Sequence, residues 1–122
     1  MRRGADIARR LMIFAVGSLT EVTRLRRDAP ARHVGAQWMR AATAAGANYE
    51  EARAAESRAD FVHKVGISAK EMREACYWIE LTCHVGWLRP APTALLDEGR
   101  ELAAILGASA RTARSRASLD SP

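Results

Sequence analysis

Two short groups of residues in this 122-residue sequence have the types and spacing that chemistry needs. Asp60 and His63 stand three apart, like the carboxylate-x-x-His pair with which helical bundles hold iron. Such a centre requires a second pair and two more inward carboxylates, and on a helix Asp60 and His63 fall away from the apolar seam that carries Phe61. Cys83 and His84, with Glu80 nearby, offer metal ligands or a thiol beside a base. Cys83 points toward the seam and His84 sideways, however, and no second cluster completes a tetrahedral set. Cys76 and Cys83 lie seven residues apart, about 10 Å along one helix, too far to bridge each other. The eight glycines are scattered and form no phosphate-cradling loop. The chain is therefore expected to be non-enzymatic, with no metal and no cofactor.

Charge is the stronger signal. Seventeen of the nineteen basic residues are Arg, against fourteen acids, for a net charge of +5. Nine Arg fall within residues 1–40, opposed only by Asp6, Glu21 and Asp28. Arg2, Arg3, Arg9, Arg10, Arg24, Arg26 and Arg27 form the expected basic surface, with a smaller group at Arg111, Arg114 and Arg116. Such a surface favours phosphate-bearing partners, RNA or DNA, through counterion release, and the same pattern can serve solubility alone. No base-reading constellation accompanies it, so weak sequence selectivity is expected.

These residues need elements to position them, and the elements are helical. Alanine and aliphatic residues abound, and the four prolines leave long stretches unbroken. Ile7, Leu11, Phe14, Ser18, Val22 and Leu25 recur at alternating three and four spacing, which predicts a helix over about 5–27. Asp28 as N-cap and Pro30 in the first turn open a second helix over about 31–54, with Val34, Trp38, Ala41, Ala45 and Ala52 as its stripe and Tyr49 beside it. Ser57 with Asp60 resembles a capping box and starts a third helix at 58. Without that break, residues 31–86 would form one rod in a three-helix protein. Phe61, Val65, Ser68, Met72, Ala75, Ile79 and Gly86 predict the third helix to 86, where Gly86 and Pro90-Ala91-Pro92 stop it. A fourth, over about 93–114, carries Leu95, Gly99, Leu102, Leu106, Ser109 and Ala113. Residues 1–114 are expected to form one all-α domain, an antiparallel up-down four-helix bundle, and 115–122 a polar tail.

Two helices carry more apolar surface than one bundle uses. Met12, Ile13, Val16 and Leu19 point largely away from the first helix's stripe, and Ile67, Trp78, Leu81 and Val85 lie opposite or nearly opposite the third helix's seam. Stripes of this size mark contact surfaces, and self-association into a homo-oligomer is the expected use. Gln37, Arg40, Asn48 and Glu51 run at helical spacing beside the second stripe, as a specificity line or an ordinary core boundary. A protein-binding accessory module without nucleic acid would use the third helix's outer residues or that line. Arg2, Arg3, Arg9 and Arg10 before the apolar run Leu11–Leu19 faintly suggest a secretory signal. Asp6 interrupts the basic stretch, the helical pattern runs on to Leu25, and nine apolar residues cannot span a bilayer, so a cytoplasmic protein with no membrane contact is expected.

Gln37-Trp38-Met39-Arg40-Ala41-Ala42-Thr43 is followed by Gly46-Ala47-Asn48-Tyr49-Glu50-Glu51-Ala52-Arg53-Ala54-Ala55-Glu56-Ser57-Arg58-Ala59-Asp60-Phe61. With His63-Lys64, Lys70-Glu71, Arg73-Glu74 and Tyr77-Trp78, this resembles the signature of the four-helix-bundle proteins first associated with intervening sequences in bacterial 23S ribosomal RNA genes. The likeness is close over residues 37–78 and elsewhere follows pattern and length. It implies a left-handed up-down bundle assembling as a homopentameric ring. It also implies similarity to the accessory variability protein of diversity-generating retroelements, a basic ring thought to bind nucleic acid and a reverse transcriptase. The chain departs from the pattern at Ala44, where the family has Ser, at Met72 and Cys76, and in a short first link. A polar contact by that missing Ser is not expected here.

Overall fold

The computed structural model describes residues 2–120, which fold into α1 (Arg2–Val22), α2 (Ala29–Arg53), α3 (Arg58–Val85) and α4 (Thr93–Asp120). No strand occurs among the described residues. Each boundary has a local cause. α1 stops five residues before the expected end, because Arg24 and Leu25 donate their amides to the carbonyls of Glu21 and Val22, three residues back, and tighten the last turn out of the helix. Asp28 is extended, and its carboxylate accepts the Ala31 amide at 3.1 Å, so α2 begins at Ala29 with Pro30 in its first turn. The rod alternative fails at Ser57, whose extended backbone and hydroxyl cap the Asp60 amide at 3.1 Å. α3 ends at Gly86, which at φ 78° enters the left-handed region that favours glycine. Its place in the seam is taken by buried Thr82.

At the other end of the chain, α4 continues to Asp120, six residues past the predicted limit. Ala113, Arg114, Arg116 and Ala117 are good helix formers, and neither Gly nor Pro interrupts them, so the polar composition of 115–119 marks a solvated stretch of helix. The inward stripe of α4 is Leu96, Gly99, Leu102, Leu106 and Ala110, while Leu95 and Ser109, expected there, are half-buried.

One core unites the four helices. Leu11 and Phe14 of α1, Trp38 of α2, Met72 and Ile79 of α3, and Leu102 and Leu106 of α4 are almost wholly enclosed. α2 packs along α3 and α3 along α4, while α1 closes the set against α2 and α4. Ala41, Ala42 and Ala45 keep the α2 backbone close to its neighbours, and the Ser68 hydroxyl donates to the Ala45 carbonyl at 2.7 Å across that seam. Gly99 marks a close approach, since a Cβ there would stand 2.8 Å from both Cys76 Sγ and Phe14 Cε1.

Candidate functional site

α1 carries the first candidate site residues, and the fold treats its two sides differently. Its inner stripe is buried, whereas Met12, Ile13, Val16 and Leu19 remain 64%, 61%, 56% and 40% exposed. They form a continuous apolar strip, since residues three and four apart are helical neighbours. Met39 of α2 is exposed as well, on the helix that packs against α1.

The arginines expected to make one basic surface are dispersed. Arg3 and Arg9 are exposed near the start of α1, and the side chain of Arg2 lies outside the described residues. From Arg3 to the end of the helix is about 28 Å at 1.5 Å per residue, and only beyond it come Arg24, Arg26 and Arg27. Among the six whose side chains are described, three are engaged within the chain. Arg10 grips Glu98 through Nε at 3.0 Å and Nη2 at 2.7 Å, with Glu101 at 3.2 Å. Arg24 donates to Glu21 at 2.6 Å and to the Arg89 carbonyl at 2.9 Å, and Arg26 grips Asp28. The Arg10 hydrogen bond holds the Glu98 carboxyl below the usual carboxylate range. The Ala31 amide, then Arg26, do the same for Asp28.

The outer residues of α3 fare differently from those of α1. Val85 is 52% exposed, but Ile67, Trp78 and Leu81 are half-buried. Trp78 packs partly against the core, meets His33 edge-on with ring centroids 6.0 Å apart, and donates its indole N–H to Glu74 at 3.1 Å. The stripe expected to be free is thus partly covered by α2. The polar line on α2 explains why. Arg40 reaches Glu71 at 2.9 Å and Glu74 at 2.5 Å, and Glu51 takes Lys64 at 2.7 Å. Asn48 donates to the Ala44 carbonyl at 2.9 Å, and Gln37 is half-buried. Arg40 and Glu51 therefore rivet α2 to α3. The Trp78 indole, followed by Arg40, holds the Glu74 carboxyl low.

The possible chemical centres do not assemble. No three His, Cys, Asp or Glu side chains that could hold a metal come together among the described residues. Burial pushes the Cys76 thiol up to about 11 and raises that of Cys83, which works against thiolate chemistry at neutral pH.

Tyr77, in the sequence only one letter of the family signature, is 60% exposed. The signal was available as the helical line His63, Lys70, Tyr77 and His84, all exposed, with exposed Arg73 beside it.

The family model for the 23S rRNA-intervening sequence protein matches residues 8–108. The chain belongs to that family. Its structure is similar to that of a protein with unknown function from the S23 ribosomal protein family of Bacteroides thetaiotaomicron, with a TM-score of 0.79 and 28% identity over 88% of this chain and 97% of that one. No curated protein matches the chain. The 23S rRNA-intervening sequence family match ends at 108, so Arg111, Arg114 and Arg116 lie beyond it. No helix among the described residues is long and apolar enough to cross a membrane.

Proposed function

We propose that this 23S rRNA-intervening sequence family protein is a non-enzymatic, cytoplasmic, homo-oligomeric accessory protein that binds RNA or DNA through phosphate contacts. The protomer is an antiparallel up-down bundle, a reading supported by the pairing of Arg10 with Glu98, of Gly17 with Leu95, and of Glu51 with Lys64. The observation that carries the proposal is the strip Met12, Ile13, Val16 and Leu19, large apolar side chains side by side in water on one helix face. A second copy covers that strip most simply, and repetition of the contact around an axis gives a ring, five-membered by the family resemblance. Assembly also multiplies the exposed Arg3, Arg9 and Arg27 around one particle, which raises the affinity for a polyanion beyond what one protomer's dispersed cations provide.

Light scattering should give a multiple of the 13.4 kDa chain. Filter binding of labelled RNA and DNA should show affinity that falls steeply between roughly 50 and 200 mM salt. A single-copy mass removes the assembly, and binding that is undetectable at low salt, or indifferent to salt, removes the nucleic-acid role.

A further inference from the structure

We infer that the outward face shared by α3 and α4 is a track for single-stranded nucleic acid, with Tyr77 as the platform on which a base stacks. The inference deepens the nucleic-acid reading above and rests on it, but it moves the site from the flanks of α1 to the opposite side of the core.

The cations here are better placed than those of α1. On α3, Lys70 and Arg73 are exposed, and neither has an ion pair among the described residues. On α4, Arg100, Arg111 and Arg114 fall within about 60° of one another at 100° per residue. Arg100 defines that direction as the α3 side, because it bonds Glu80 of α3 at 2.7 Å. The Arg111 guanidinium lies back along the same face, 3.4 Å from where a Gly107 Cβ would stand. In the antiparallel arrangement proposed above, moving from Arg100 to Arg114 on α4 runs alongside α3 from Glu80 toward its start, past Arg73 and Lys70. Five cations thus line one face against two acids, Glu80, which Arg100 already engages, and exposed Asp97, one turn before Arg100.

Tyr77 stands among them. Its ring meets Trp78 in a T-shaped contact, with centroids 5.1 Å apart and planes at 79°, and it remains 60% exposed. An edge contact of this kind leaves a face of the ring open. Tyr77 and Glu80 both border two open clefts, one of about 290 Å³ shared with Arg73 and Arg100, the other of about 310 Å³ shared with Leu81 and His84. An exposed aromatic ring with flanking room, with Arg73 and Lys70 one and two helical turns away on α3 and Arg100 across on α4, matches what an unpaired base and its neighbouring phosphates require. A duplex presents no free base face and could use only the cations.

Fluorescence anisotropy with a labelled 20-nucleotide oligo-U, its DNA counterpart and a duplex of equal length, in low salt, tests the proposal on the full chain. Tyr77→Ala should weaken single-strand binding about 5- to 150-fold and leave duplex binding unchanged, while Tyr77→Phe keeps the affinity of the parent. The Lys70→Gln, Arg73→Gln double variant should weaken both and lower the single-strand salt slope by about 1.4. Circular dichroism and light scattering confirm that each exposed-site variant keeps its helices and assembly. If the parent binds single strands and both Tyr77→Ala and the double variant bind equally well, this face is not the site and the general nucleic-acid reading survives. If the parent binds none of the three oligomers, both readings fall together.

Discussion

The outer sides of α1 and α3 carry the same kind of sequence, an apolar stripe off the main seam, and meet different fates. On α1, Met12, Ile13 and Val16 are more than half exposed. On α3, Trp78 leans on the core and His33 while its indole is tied to Glu74, and Ile67 and Leu81 are half-buried. The difference lies in the neighbours. α3 is flanked on both sides along most of its length, and the Arg40 and Glu51 rivets draw α2 over one shoulder of it. α1 meets α2 and α4 with its stripe and with Arg10 and Gly17 at its edge, and Met12, Ile13 and Val16 on its back stay open among the described residues. A surplus apolar stripe is therefore open to a contact only where the fold leaves it uncovered.

The contrast can be broken most sharply on α1. Ile13→Asp with Val16→Asp should reduce the particle to one 13.4 kDa copy by light scattering while far-UV circular dichroism keeps its helical signal. Persistence of the oligomer would show that another surface holds it. On α3 the expected effect is on stability instead. Trp78→Ala should lower the unfolding free energy by about 2 kcal/mol in urea titration, as a half-buried aromatic does, with the mass unchanged. Loss of assembly in that variant would make the two faces equivalent after all.

Glu98→Gln gives a smaller effect, and it concerns the polar edge that separates α1's inner and outer sides. Because Arg10 lowers the Glu98 carboxyl in the folded chain, the unfolded chain binds its proton first. The stabilisation is present above the ordinary carboxylate range and is lost as pH falls through the lowered value. Glu98→Gln should cost about 1 kcal/mol or less at neutral pH, since both side chains are about one-third exposed. It should also flatten the decline of stability below roughly pH 4. An unchanged acid profile would show that the pair contributes nothing to holding α1 on α4.

Much of this was legible in the sequence because burial imprints a period. The stripe from Ile7 to Leu25, the caps at Asp28 and Ser57 and the stop at Gly86 all act within a few residues of themselves. The site was less legible because charges choose partners through space. Arg10 reads as free until Glu98, 88 residues away, is brought beside it. Trp78 reads as exposed until His33 arrives. Even the end of α1 depended on a turn closed by Glu21 and Val22, with no Gly or Pro in the letters to announce it.

Gly99 also sets where α4 sits along its neighbours. With Cys76 and Phe14 pressed against the bare backbone at that point, α4 has a single lengthwise setting. A slide by one turn in either direction would bring Leu95 or Ala103 to the crossing, and each has a carbon where none fits. The missing side chain thus works as a detent: it stops the fourth helix from creeping along its neighbours, and any cations arrayed on the far side keep their spacing because of it.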